Sequence, residues 1–254
     1  MAEINLYNGY HNGEIYLPGN RIGVLLLHGL SGTPQKLELL AKALSRSNFT
    51  VLAPCLSGHG TNPDDLLKTN HDQWLQEVND SITRLKAICE KVYIVGDSLG
   101  GALGLVTSLS NPVSGIVTMA TPIYYRRHRF WGLLLHTVGY VKSYYKKKSN
   151  GWYSYEKVPV SVLRDIYRFT DTKLKPAIPM VTVPIMVIQG KEDRVVNPDS
   201  AQYIFDHLVT SNKELIWVDE GRHSLATGEA REKVFEEIIQ FLDHQSRLTN
   251  GSAH

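Results

Sequence analysis

Six short apolar runs recur along the chain, and they restrict its fold more than any other feature. They are GVLLLHG (23–29), TVLAP (50–54), KVYIVG (91–96), SGIVTMA (114–120), VPIMVIQG (183–190) and ELIWVD (214–219). Each run is continuous rather than alternating, the pattern of a strand buried on both faces. Helix-like segments at 34–47, 71–89, 98–110, 199–209 and 228–246 separate them. Thr33 and Pro34 supply an N-cap and a first helical residue for the first of these. Strand then helix, repeated, predicts an α/β fold with a mostly parallel central sheet flanked by helices. With 254 residues, 43% of them hydrophobic, the chain can build one large domain of this kind.

One interval breaks the rhythm. From Pro122 to Met180 no strand-like run is visible, and the stretch is too long for an ordinary loop. It is expected to be a helical cap inserted between two core strands, about residues 122–180, within a single domain spanning 1–254. The clusters Arg126-Arg127-His128-Arg129 and Lys146-Lys147-Lys148 fall in it, beside many Tyr and Trp residues. They read as solvated helical faces, with steering toward anionic surfaces as the sharper alternative. FWGLLLHTVGYV (130–141) is apolar enough to pack on the core and line an acyl pocket.

The sequence Gly96-Asp97-Ser98-Leu99-Gly100 sits where a strand-like run meets a helix-like segment. A strand that turns at once into a helix holds a serine in a strained conformation, with its hydroxyl above the sheet edge. Side chains two positions before and after would collide, so both positions need glycine. A serine hydroxyl requires a base, and the base an orienting partner. His223, in DEGRHSL, lies just past the last predicted strand, and Asp193, in QGKEDRVVNP, just past the preceding one. Loops after strand C-termini gather on one edge of a parallel sheet, the edge on which Ser98 lies. Glu192 and Asp219 are the other candidates for the acid. For a developing oxyanion, the backbone N–H groups of Leu30, in LLLHGLSGT, and of Leu99 are the candidate donors. His28 is expected to order its own loop, and SGHG (57–60) to form a structural turn at the pocket edge.

At these residues the sequence resembles small bacterial carboxylesterases of the monoacylglycerol-lipase-like group within the α/β-hydrolase superfamily. The matching stretches are VLLLHGLSGTP, APCLSGHGTNPDDL, VGDSLGG, GIVTMATPIY, PIMVIQGKEDRVVNPDSA and GRHSL, in order between about residues 21 and 245. The resemblance implies a Ser98–Asp193–His223 triad, an oxyanion hole at Leu30 and Leu99, a compact helical cap and no cofactor. It implies a serine carboxylesterase acting on short- to medium-chain esters through an acyl-enzyme. An acyltransferase or thioesterase on the same three residues, or a hydrolase-fold binding protein without turnover, are the rival readings.

Composition narrows the partners. A formal net charge of +2 gives no global field for nucleic acid. Cys55 and Cys89 make no disulfide framework and are expected to be free thiols. No metal site is expected, since SGHG lacks further ligand types nearby. No signal peptide is visible in MAEINLYNGYHNGE, and no apolar run approaches a membrane span, so a cytoplasmic location is expected. The expected partners are a small ester and water.

Overall fold

The computed structural model describes residues 9–11, 13–126, 139–142 and 154–248. Arg127, His128, Arg129, the three lysines 146–148 and most of 130–141 lie outside them, as does the terminal TNGSAH. Ten strands are described: β1 (Gly9–His11), β2 (Glu14–Leu17), β3 (Ile22–Leu27), β4 (Thr50–Ala53), β5 (Lys91–Asp97), β6 (Gly115–Met119), β7 (Tyr140–Lys142), β8 (Lys157–Pro159), β9 (Ile185–Gly190) and β10 (Lys213–Val218). The long helices are α1 (Glu38–Arg46), α2 (His71–Lys86), α3 (Leu99–Thr107), α4 (Val160–Phe169), α5 (Asp199–His207) and α6 (Arg231–Leu248).

An eight-stranded sheet runs in the order β1-β2-β4-β3-β5-β6-β9-β10. The six strands from β4 to β10 are parallel, and they are the six apolar runs of the sequence. β1 and β2 add an antiparallel edge that the sequence did not reveal. Those strands are short, and EIYL alternates only weakly in burial, so no continuous apolar run marks them.

Both faces of the sheet are covered, which accounts for the continuity of the runs. Along β5, Val92 and Ile94 point to a core shared with α2, α3, α4 and α5, whereas Tyr93 and Val95 point to a second core shared with α1 and α6. β3 divides in the same way, Leu25 and Leu27 to one side and Val24 and Leu26 to the other.

The entry to α1 differs from expectation. Residues 34–37 form a 3₁₀ turn ahead of α1, and the Thr33 side chain makes no capping bond. The tight turn commits the Lys36 N–H to the Thr33 carbonyl at 3.0 Å, leaving that amide for no side chain. Thr33 Oγ1 is buried without a partner.

The interval 122–180 is not purely helical. β7 and β8 pair antiparallel within it, ahead of α4, a π-helical turn (Thr170–Leu174), a short α-helical turn (Lys175–Ala177) and a 3₁₀ turn (Ile178–Met180). Strands of three residues carry too little pattern to be read from sequence. The interval is docked at its start by the Asn197 N–H to the Tyr124 carbonyl, 2.8 Å. It is docked again through Asp165 on α4, which accepts the backbone N–H of His71 at 2.8 Å and meets its Nδ1 at 2.8 Å. No helix among the described residues is long and apolar enough to cross a membrane.

Candidate active site

Ser98 stands between β5 and α3 with φ +53 and ψ −113. A non-glycine residue reaches such a conformation only when its surroundings impose it. Three backbone bonds do so. The Ser98 N–H extends the β5–β6 ladder to the Met119 carbonyl at 2.7 Å, and the Ser98 carbonyl accepts the N–H groups of Gly101 and Ala102 at 3.1 and 3.3 Å. The flanking glycines are required by close approach. A Cβ on Gly96 would lie 2.3 Å from the Gly101 nitrogen, and one on Gly100 would lie 2.2 Å from the Leu27 carbonyl oxygen. The turn therefore closes only if both residues lack side chains.

β9 and β10 end on the same edge of the sheet. Asp193 and His223 follow them, and His223 Nδ1 lies 2.8 Å from Asp193 Oδ2. Gly190 and Gly221 let the second loop fold back over the first, since a Cβ on Gly190 would lie 2.1 Å from the Gly221 carbonyl oxygen. The chain thus turns within Glu220–Arg222 and brings His223 above the end of β9.

Asp193 is fully buried, at 0% exposure. Burial alone would raise its carboxyl pKa. The hydrogen bond and charge of His223, with the amides of Val195 and Val196, outweigh this and hold it below the usual carboxylate range. Those two amides donate to Oδ1 at 2.8 and 3.0 Å, and Gln189 Nε2 donates to Oδ2 at 3.1 Å. An ionised Asp193 accepts from His223 Nδ1–H, which leaves the ring's Nε2 as the acceptor. The other two acid candidates are elsewhere. Asp219 is exposed and paired with Lys191 at 2.6 Å, and the half-exposed Glu192 lies 4.0 Å from Arg222.

Leu30 lies in a turn closed by the Gly32 N–H to the Gly29 carbonyl at 3.1 Å, and Leu99 is the first residue of α3. The first amides of a helix have no partner within it and face outward with a partial positive charge. Gly29 packs against the elbow; a Cβ there would lie 3.2 Å from Ser98 Cβ. His28 does order its loop. Its Nδ1 meets the Gly29 carbonyl at 3.0 Å, and its Nε2 accepts the Leu56 N–H at 3.1 Å. Burial lowers the His28 pKa to about 3, with the charge of His59 adding to the shift, so the ring is neutral at ordinary pH.

Four participants escaped the sequence reading. Gln189 was legible in principle, as a polar residue at the end of an otherwise apolar strand. Asp97 carries a buried Oδ1 with no hydrogen-bond partner, and burial raises its pKa against the pull of His223 and Lys36. Lys36 comes from the turn before α1, and burial lowers its pKa while Asp97 opposes the shift. Tyr155 reaches the Gly29–Gly32 turn from the interval 122–180, its N–H donating to the Ser31 carbonyl at 3.1 Å. Asp97 lies inside the Gly96–Gly100 stretch, whereas nothing local in sequence marks Lys36 or Tyr155.

Among the described residues no three His, Cys, Asp or Glu side chains converge as a metal ion would require. Cys55 and Cys89 are free, and burial together with Glu77 raises the Cys55 thiol to about 11, so it is protonated and unreactive.

The sequence profile of the alpha/beta hydrolase family matches residues 24–237. The chain belongs to that family. Among curated relatives, this hydrolase is 28% identical over 231 residues to a carboxylesterase of Bacillus subtilis (strain 168), covering 89% of this chain and 94% of that one. It is also 28% identical over 231 residues to a thermostable monoacylglycerol lipase of Bacillus sp. (strain H-257), covering 89% and 92%. Among solved structures, a metagenome-derived lipolytic enzyme from the LipS and LipT pair superposes with a TM-score of 0.84 at 26% identity, over 91% of this chain and 97% of that one. The hydrolase is a carboxylic ester hydrolase, and its substrate class is therefore an ester with water as co-substrate.

Proposed function

We propose that this hydrolase cleaves short- to medium-chain carboxylic esters through an acyl-enzyme on Ser98. The observation that carries the reading is the 2.8 Å contact between His223 and a fully buried, ionised Asp193, at the sheet edge that also bears the Ser98 elbow. Ser98 Oγ attacks the ester carbonyl, and its proton passes to His223 Nε2. Asp193 fixes the Nδ1–H tautomer and stabilises the imidazolium. The carbonyl π pair becomes an alkoxide, met by the Leu30 and Leu99 amides; one such donor is worth ~10²–10³ in rate. The imidazolium then protonates the leaving alcohol. Water, deprotonated by His223, attacks the acyl carbon, the bond to Ser98 Oγ breaks, the imidazolium returns its proton to Oγ, and the acid leaves.

The short chain limit rests on the size of the interval 122–180, which we read as a cap enclosing a restricted pocket. The names of the two Bacillus relatives, a carboxylesterase and a monoacylglycerol lipase, favour esters of one acyl chain over triglycerides. The free thiols fit a reducing, cytoplasmic setting. Turnover of p-nitrophenyl esters from acetate to palmitate tests the reading. The rate should peak at short to medium chains and vanish in Ser98→Ala. A maximum at palmitate overturns the chain limit, and turnover by Ser98→Ala overturns the nucleophile.

A further inference from the structure

Ser31 has φ +61 and occupies the third position of the turn that presents Leu30. That position favours glycine, because a side chain is strained at positive φ. The chain has glycine at 29 and 32 but serine at 31. Relaxing Ser31 to negative φ would rotate the Leu30–Ser31 peptide and displace Leu30. Something outside the turn must hold it.

Tyr155 is placed to do so. Its N–H donates to the Ser31 carbonyl at 3.1 Å. Its hydroxyl donates to the Gly58 carbonyl at 2.7 Å and accepts the Thr61 N–H at 3.1 Å. Its ring lies parallel to that of His59, 9° apart with centroids at 6.5 Å. Tyr155 is itself 6% exposed. One residue of the 122–180 interval thus fixes the strained turn on one side and the 58–61 loop on the other. A phenylalanine would fill the same space without the hydroxyl bonds.

We infer that Tyr155 is a positioning residue that holds the Gly29–Gly32 turn, and with it the Leu30 amide, in the geometry required by the oxyanion. The inference rests on the proposed role of that amide. Anchored by its hydroxyl, Tyr155 keeps its N–H on the Ser31 carbonyl. Released, the turn relaxes toward an unstrained form in which Leu30 is displaced. Small displacements of this kind act on the transition state more than on substrate binding.

Tyr155→Phe tests it, in the wild type and in a Ser31→Gly background where glycine accepts positive φ without a brace. With p-nitrophenyl butyrate, Tyr155→Phe should lower kcat about tenfold and leave KM within about twofold. A trifluoromethyl ketone probes the hole directly. Ser98 Oγ bonds to its carbonyl carbon, the hydroxyl proton goes to His223, and an alkoxide remains facing the amides. Its affinity should fall by about the same factor as kcat, while that of the corresponding unreactive alcohol holds steady. In the Ser31→Gly background the kcat penalty of Tyr155→Phe should shrink to within about twofold. A loss confined to KM, an unchanged kcat, or a penalty undiminished by Ser31→Gly would each overturn the role. Turnover by Ser98→Ala would instead overturn the triad reading beneath it, which separates the two failures.

Discussion

Two serines at the pocket edge carry positive φ, and they are held there by different means. Ser98, at φ +53, is clamped by its own neighbourhood: the β5–β6 ladder before it, the first turn of α3 after it, and glycines at 96 and 100 that let the backbones meet. Ser31, at φ +61, has only the Gly32 N–H to Gly29 carbonyl bond as a local frame. Its other contacts come from far along the chain: Tyr155 on its carbonyl, and the neighbouring His28 tied to Leu56. Strain at a functional site can thus be maintained by local backbone geometry or by remote side chains. The first kind resists everything short of unfolding. The second answers to pH and to single distant substitutions.

The largest expected effect falls on the chemistry proposed for the rigid elbow. Asp193→Asn should keep both turns and the fold, yet lower kcat by about 10⁴, a magnitude borrowed from the serine-protease triad. The amide would present the wrong hydrogen-bonding partner to His223 and favour the wrong tautomer. Steady-state kinetics at neutral pH checks this, and a loss below tenfold in a folded variant would remove Asp193 from the site.

Next comes the elbow's backbone. Gly100→Ala places a Cβ 2.2 Å from the Leu27 carbonyl oxygen, an atom with no room to move inside the sheet. The variant should lose about 4 kcal/mol of stability or more, read by chemical denaturation, and activity with it. If its stability matches the wild type, the elbow is not the locally clamped structure that the contrast with Ser31 requires.

Acid should act on the other region first. His28 and His59 brace the turn and the 57–60 loop while neutral, their pKa values lowered by burial to about 3 and about 4. Their unfolded values are near ~6.5, so below that pH the unfolded chain binds protons that the folded protein refuses. Stability therefore falls as pH drops from about 6.5 toward 4. The two histidines should together remove on the order of 5 kcal/mol by pH 4.5. Asp193 has a depressed pKa, so its contribution is present above its unfolded value and is lost as pH falls through its folded value, below that window. Thermal melting across pH should show the loss, and His59→Gln should flatten the curve. A melting temperature constant from pH 7 to 4.5 would deny the histidines this role.

The smallest effect is expected at Asp219. Its carboxylate pairs with Lys191 at 2.6 Å and is well exposed. Solvent screens an exposed pair of this kind, and no member of the proposed triad depends on it. Asp219→Asn should leave kcat within about twofold. Should it prove more damaging than Asp193→Asn, the acid has been misassigned.

The elbow and the turn also differ in how far sequence announces them. Gly96-x-Ser98-x-Gly100 could be read directly, because every residue that clamps Ser98's backbone is a near neighbour or belongs to an adjacent strand marked by its own apolar run. The turn at Leu30 was visible only as a glycine-bearing loop after β3. Its strain at Ser31 and its brace at Tyr155 lie 124 positions apart in numbering, and no periodicity links them. The edge hairpin of β1 and β2 and the short strands within 122–180 were illegible for a related reason, since three or four residues carry too little pattern.

The order of apolar runs determined by itself that a parallel sheet would form and that residues following its strands would share one edge. Hydrophobic burial on both faces leaves few other arrangements for such runs, and their order alone puts Ser98, Asp193 and His223 on that edge. Which carboxylate would meet His223 was not determined there. Glu192, Asp193 and Asp219 all lie near strand ends, and the choice depends on loop closure. Gly190 and Gly221 pack backbone on backbone, Asp193 is drawn under the ring by the Val195 and Val196 amides, and Asp219 is left in solvent beside Lys191. A hydrogen bond's direction and a side chain's burial arise from the packing of segments distant in sequence, and only the tertiary structure decides them.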